Sequence, residues 1–262
     1  MKFHLQSFLV NSSLIIACAI ASLFLSFHKM LERELSFGDI LTVSGLAMLA
    51  YAVHKLSRRE LRNWILYLGI GIGAGMLTLG ISQPRTIPST QLLIPAVLTL
   101  NYIGFLNFGV GSVRENIWLK HIIVALTWAY TAMLPISTNS IFFWLAFTLV
   151  FFMILQLSVV FDLKDLQYDP LRGRSNLAIQ LGANYTKMLA ILFNVTAIFI
   201  LSIIQYFWSI DLIIFIALLI TLLVQITLVS VTTIKMSAHW YYLYLDATLI
   251  LPGFIILIFN HL

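Results

Sequence analysis

Apolar residues run along this chain in long blocks separated by short polar gaps. Cut at charges and turn formers, the blocks predict nine helical spans, at residues 8–27, 40–56, 64–82, 90–107, 119–137, 141–161, 185–207, 210–232 and 240–259. Crossing the hydrocarbon core of a bilayer takes about 20 largely apolar residues, and the blocks approach that length. Trp64, Trp118, Trp208 and Trp240 fall at block edges, where an amphipathic ring favours the headgroup layer. Pro84 and Pro88 break the chain between the third and fourth blocks. The pattern predicts an all-α integral membrane protein in which residues 1–262 form a single polytopic domain.

Composition sharpens this reading. With 61% hydrophobic and 10% charged residues, against about 45–50% and about 25% in soluble domains, an ordinary soluble protein is excluded. The net charge of +5 would suggest nucleic acid in a soluble chain, but here the basic residues sit in the gaps between apolar blocks. With the N-terminus inside and nine spans, 12 of the 15 Lys and Arg residues fall on the cytoplasmic side, leaving Lys29, Arg33 and Arg85 opposite. That asymmetry follows the positive-inside rule, and no nucleic-acid partner is indicated. Cys18 stands alone, which excludes an intramolecular disulfide, a CxxC pair and a cysteine metal site. Ile15-Ile16-Ala17-Cys18 has the look of a lipoprotein signal, but apolar sequence continues to Phe27, and Asn11, Ser12 and Ser13 interrupt the would-be hydrophobic region; the first span is expected to be retained. The third span carries Gly69, Gly71, Gly73 and Gly75, two overlapping GxxxG patterns suited to close helix packing.

Candidate chemistry concentrates after the sixth span, in Asp162-Leu163-Lys164-Asp165-Leu166-Gln167-Tyr168-Asp169-Pro170-Leu171-Arg172-Gly173-Arg174. On a continuing helix, Asp162, Asp165 and Asp169 at i, i+3 and i+7 share one face. Three acids at a helix C-terminus repel one another and oppose the macrodipole, so a positive species is expected between them. Oxygen ligands without His or Cys suit a hard divalent cation such as Mg²⁺, whose remaining positions substrate phosphates and water fill. Lys164, Arg172 and Arg174 suit further phosphate oxygens. Acids and bases at the mouth of an apolar cavity imply a lipid-like substrate with a diphosphate head. The alternative is a solvated loop whose acids pair with its own Lys and Arg.

This segment, with Ser175-Asn176-Leu177-Ala178-Ile179-Gln180-Leu181-Gly182 after it, resembles the second aspartate-rich motif of the UbiA superfamily of intramembrane prenyltransferases. The region from Tyr102 to Lys120 is similar to that family's tyrosine-then-basic segment after the fourth span. The resemblance implies nine transmembrane helices around a central, laterally lipid-accessible cavity, with Mg²⁺ and an allylic prenyl diphosphate held by two aspartate-rich motifs. Departure of diphosphate then yields an allylic cation that attacks a lipophilic acceptor, such as an aromatic ring. Carried over, Asp165 and Asp169 match the metal-binding pair and Asp162 the acid before it. Arg172, Lys120, Arg114 and Lys164 become candidates for diphosphate contact, with Tyr102 contributing a hydroxyl. The implied location is the bacterial inner (plasma) membrane, with the N-terminus and the mouth of the site cytoplasmic.

The first motif departs from the family pattern. The matching run, from Tyr51 to Glu60, puts Ala52, Leu56 and Glu60 on the three ligand positions, so Glu60 alone keeps a metal-binding oxygen. His54 and Lys55 beside them would meet a phosphate directly, or this half of the site has lost its chemistry. Elsewhere, Gln156, Asn194, Gln205 and Gln225 read as interhelical hydrogen-bond partners. His4, His28, His121, His239 and His261 read as interface residues without metal spacing. Asp246 lies near the cytoplasmic interface, as a structural residue or facing the cavity. Three functions follow as expectations: Mg²⁺-dependent prenyl transfer; isoprenoid-lipid binding without catalysis on the same scaffold; and transport, disfavoured because transport sites sit near the midplane on interrupted helices.

Overall fold

The computed structural model describes residues 9, 12–57, 64–103, 116–135, 140–166, 169 and 175–259. All regular structure among them is helical: α1 (Leu14–Met30), α2 (Phe37–Ser57), α3 (Trp64–Ser82), α4 (Leu93–Ile103), α5 (Leu119–Ala132), α6 (Ile141–Asp165), the short α7 (Leu177–Leu181), α8 (Ala183–Trp208) and α9 (Leu212–Val231). A composite stretch follows. It runs through a helical turn at Ala238–Trp240, a π turn at Tyr241–Leu245 and a 3-10 turn at Asp246–Ile250 into α10 (Leu251–Phe259).

Each apolar block predicted from the sequence carries helix. Six stretches are long and apolar enough to cross a membrane: α2, α3, α6, α8, α9 and the stretch Tyr241–Phe259. As described, α1, α4 and α5 have 17, 11 and 14 residues, so nine full-length spans are not established by the described residues. The burial pattern is that of a protein dissolved in hydrocarbon. On α8, Met188, Leu192, Val195 and Phe199 are exposed, while Thr186 and Asn194 are fully buried. Apolar atoms cost nothing against lipid tails, whereas polar ones must find partners inside. Asn194 donates to Gln225 on α9, which donates to Thr248, two of the interhelical bonds expected of these amides. Trp64, Trp118 and Trp208 are exposed at helix ends, as the headgroup reading anticipates.

The helices form a ring. α6 is the most enclosed spanning helix, with 67% of its apolar window buried, against 22% for the peripheral α3. It packs between α5 and α8; α9 follows α8, and the terminal stretch packs on both α9 and α1. Ser22 of α1 fastens this last contact, donating to the carbonyl of Ile250 at 2.9 Å and accepting from the N–H of Gly253 at 2.8 Å. Pro252 explains why the stretch is irregular there: it has no N–H for the Thr248 carbonyl, and its ring crowds that carbonyl.

The most extensive contact joins α2 and α3, and glycine makes it possible. A Cβ on Gly45 would lie 2.7 Å from the N of Leu77 and 2.8 Å from the carbonyl of Gly73; one on Gly80 would lie 2.6 Å from the N of Thr42. Of the two overlapping GxxxG patterns, Gly69 and Gly73 face neighbours, Gly69 approaching the backbone of Ser12, while Gly71 and Gly75 meet nothing within 4 Å. At the end of the ring away from the acidic segment, Asp39 accepts from Thr86 (N at 2.9 Å, Oγ1 at 2.7 Å), and Arg33 donates to the carbonyls of Met133 and Pro135. Phe24, Val43, Ile87 and Leu134 close that end with a small apolar cluster.

Gly45→Leu and Gly80→Leu are therefore expected to destabilise the protein by about 1–3 kcal/mol or more through backbone overpacking. Gly71→Ala and Gly75→Ala should leave it unchanged. Thermal unfolding in detergent compares the two pairs.

Candidate functional site

The ring encloses a cavity of about 900 Å³, within the range of small-ligand sites. Its walls are apolar, supplied by Ile16 and Ile20 of α1, Leu46 and Ala50 of α2, Ala96 and Leu100 of α4 and Trp128 of α5. Its polar residues gather where α2 and α6 end and where α5 and the terminal stretch begin. His54, Tyr102, Lys120, His121, Asp162, Lys164, Asp165, Asp169, Tyr242 and Asp246 all line it. Val53 and Leu100, on α2 and α4, line the cavity and are 44% and 38% exposed.

The acid trio divides into one residue and a pair. Asp162, 5% exposed, is engaged by three donors. Lys120 Nζ lies 2.7 Å from its Oδ1, and His121 Nε2 (3.0 Å) and the N–H of Leu177 (2.8 Å) meet its Oδ2. The other nitrogen of His121 bonds Ser158 Oγ at 2.8 Å. Asp162 thus joins α5, α6 and the first turn of α7. Asp165 and Asp169 stand one helical turn apart, with the N–H of Asp169 donating to the carbonyl of Asp165 at 2.9 Å. Asn176 secures Asp169 by donating to its Oδ2 at 2.8 Å, while its own Oδ1 caps α7 through Ile179 N. Gly182, at φ 79°, turns the chain from α7 into α8, a conformation that only glycine adopts without strain.

Among the described residues no group of three or more His, Cys, Asp or Glu could hold a metal ion. What remains at the end of α6 is a pair of carboxylates facing the cavity. Mg²⁺ typically takes one or two protein carboxylates, with phosphate oxygens and water as its other ligands, so the pair suits this ion. Lys164 lies beside it, 3.7 Å from Asp165 Oδ1 and 2.6 Å from the Tyr242 hydroxyl.

The α2 side differs from the sequence alignment. The cavity-lining positions on α2 include Ala47, Ala50 and His54; Ala52 is fully buried and, like Leu56, is not in the wall. The register that faces the cavity therefore runs through Ala50 and His54, two residues earlier than Ala52 and Leu56. His54 packs near Tyr102, ring centroids 5.4 Å apart. Lys55 turns away from the cavity, its Nζ 3.1 Å from Ser13 Oγ. Glu60, Arg114 and Arg172 lie outside the described residues, as do Arg58 and Arg174. Sequence reasoning missed His121, taken for an interface residue yet buried against Asp162, along with Asn176 and Tyr242; of the two readings it gave for Asp246, the structure has the cavity-facing one. Position at a span end carries no information about which way a side chain points; the helix-cap position of Asn176, before Leu177, was the one available signal.

No protein-family model and no curated protein matches the sequence. The structure is similar to a solved one described as the apo structure of a UbiA homologue from Aeropyrum pernix K1, with a TM-score of 0.66 and 13% identity over 94% of this chain and 99% of that one. With its membrane-crossing helices in a ring around a cavity that carries its acids at one end, this chain is an integral membrane protein with a UbiA-like fold.

Proposed function

We propose that the protein is a prenyltransferase that binds an allylic prenyl diphosphate with its head among Asp165, Asp169, Lys164 and Lys120 and its chain along the apolar wall, and transfers the prenyl group to a lipophilic acceptor. The observation that carries this reading is the convergence of a carboxylate pair and two lysines at one end of a greasy cavity. The carboxylates alone would repel a diphosphate, and an apolar cavity alone has no use for them. Asp165 and Asp169 would hold Mg²⁺, which supplies neutralisation of the leaving diphosphate, an effect of several kcal/mol. Lys120, which places one N–H on Asp162, and Lys164 both line the cavity beside the carboxylate pair. Arg114, Arg172 and Glu60 are candidates to complete the head site, and Tyr102 and His54 flank it on the opposite wall. The π faces of Tyr51, Trp128 and Phe161, all cavity-lining, are suited to an allylic cation. The substrate's hydrocarbon chain would enter between Val53 and Leu100. The positive-inside rule supports a cytoplasmic polar end, and the bacterial inner membrane is the proposed location.

Asp162 takes a different part in this proposal. With three donors already on its carboxylate, it is a positioning residue that fixes Lys120 and the return of the chain into α7.

Isoprenoid binding without turnover is the second reading, favoured by one observation: the described cavity face of α2 offers Ala50 and His54 where a second carboxylate motif would be needed. Incubating purified protein with geranyl, farnesyl and longer prenyl diphosphates, with and without Mg²⁺, separates the two. Release of diphosphate and mass-spectrometric detection of prenylated lipid support the enzyme; saturable binding with neither supports the carrier.

Asp165→Asn and Asp169→Asn are expected to fold normally and to lose about 100-fold or more of the Mg²⁺-dependent turnover. Wild-type rates in both variants would remove the pair from the mechanism. Asp162→Asn should instead lower thermal stability by about 3 kcal/mol or more, since it removes the buried charge that Lys120, His121 and the N–H of Leu177 all meet. It should raise KM for the diphosphate more than it lowers kcat while preserving the apparent Mg²⁺ affinity. An unchanged melting temperature with lost Mg²⁺ affinity would make Asp162 a metal ligand after all.

A further inference from the structure

One polar group in the cavity has no part in the proposed diphosphate chemistry. Asp246 sits at the junction of the π and 3-10 turns, lines the cavity and is 8% exposed. Its Oδ2 is buried without a hydrogen-bond partner among the described residues. The cations whose charge bears on it are Lys164 and Lys55, and both are engaged elsewhere: Lys164 with Tyr242 and Asp165, Lys55 with Ser13. A carboxylate oxygen withdrawn from water without a donor is strongly unfavourable. The cavity lining also includes Leu249, Ile16 and Ile20, whose side chains carry no donor, and Tyr242, whose hydroxyl accepts from Lys164. The backbone is irregular at this point, and π turns recur where a helix presents a side chain for function. Because Asp246 lines the cavity, a ligand there can bring a donor to the oxygen that has none among the described residues.

We infer that Asp246 is a specificity-determining residue for the second substrate: it accepts a hydrogen bond from an O–H of the lipophilic acceptor, and so selects a hydroxyl-bearing acceptor over the same molecule with that hydroxyl capped or absent. The inference rests on the prenyl-transfer reading only in naming this ligand the acceptor. The hydrogen-bond donor requirement stands on the unsatisfied carboxylate itself.

The test uses 1-naphthol and 1-methoxynaphthalene, which share a ring system and differ in the donor. Binding to the full chain in lipid nanodiscs is read by naphthalene fluorescence, and geranyl diphosphate binding is measured by calorimetry on the same preparations. Wild type is expected to bind the naphthol about fivefold more tightly than the ether, as for an ordinary hydrogen bond to a carboxyl oxygen. Asp246→Ala should bring that ratio to about one by weakening the naphthol alone. Asp246→Asn, which keeps the size and an acceptor oxygen, should retain a preference of about two- to threefold. Geranyl diphosphate affinity should be the same in all three proteins. A wild-type ratio near one, or an Asp246→Ala ratio like that of wild type, overturns the inference. If the alanine variant does not fold, the wild-type and asparagine ratios decide, and equal ratios overturn it. A naphthol preference lost with Asp246 while geranyl diphosphate fails to bind any form defeats the prenyl-diphosphate reading and leaves the donor site standing. Geranyl diphosphate binding without naphthol preference defeats the donor site alone.

Discussion

The polar end of the cavity depends on one buried carboxylate. Withdrawing an ionised Asp162 from water costs several kcal/mol, recovered only where geometry and additional hydrogen bonds are good. Here a lysine, a histidine and a backbone N–H provide them. The donors come from two separate points of the chain, Lys120 and His121 at the start of α5 and Leu177 in α7, so meeting the needs of this one group fixes the start of α5 against the end of α6 and draws the chain back at α7. Asn176 extends the arrangement, since the residue that caps α7 also holds Asp169. The carboxylate pair at the end of α6 is thus carried on a frame whose stiffness is electrostatic, at the edge of a cavity whose walls are held by apolar contact.

Those walls are fixed by a different device at each side. Between α2 and α3 the backbones approach closely because Gly45, Gly73 and Gly80 have no side chain. Between α1 and the terminal stretch, Ser22 offers its hydroxyl both as donor and as acceptor to backbone groups near Pro252. In a bilayer the hydrophobic effect gives no reason for helices to associate, so close packing and polar contacts must do it. The cavity persists because its neighbours are fastened, while its apolar lining has no polar group with which to seal it.

How much of this was legible in the sequence follows from the physics of each feature. The helical blocks were, because lipid demands apolar length irrespective of tertiary contacts. The extent of α5 was not, since nothing in the apolar run 119–137 before Pro135 marks an end at Ala132. The spacing of Asp162, Asp165 and Asp169 gave a shared face but not the competition for it: Lys120 and His121 lie some 40 residues earlier in the chain, and only folding reveals that they claim Asp162 first. On α2 the motif alignment was two residues out of register with the cavity. At about 100° per residue that turns the supposed ligand positions to nearly the opposite side, where Ala52 is fully buried. Asn176 was within reach, because a cap position follows local rules, whereas the inward face of Asp246 depends on an irregular turn that periodicity does not encode.

The two sides of the polar end are chemically unequal, and this bears on what the site can do. The α6 side offers two carboxylates with Lys164 and Lys120 at hand, while the described part of α2 offers His54 and Tyr51 among apolar side chains and no carboxylate. Under the proposed reading, a diphosphate held mainly from one side would still have its negative charge to offset as it departs, and the protein cations Lys120 and Lys164 are the groups in the lining suited to that. Lys120 is well placed for this only because Asp162 anchors it: an ammonium shared between a fixed carboxylate and an incoming phosphate needs little reorganisation as charge develops. The same carboxylate lowers the net positive charge Lys120 presents. A site built this way gains order at the expense of field strength, and binding a diphosphate tightly asks less of it than expelling one. That inequality, set by α2 as much as by the acids of α6, is what keeps turnover and simple retention of an isoprenoid as separate physical possibilities on one scaffold.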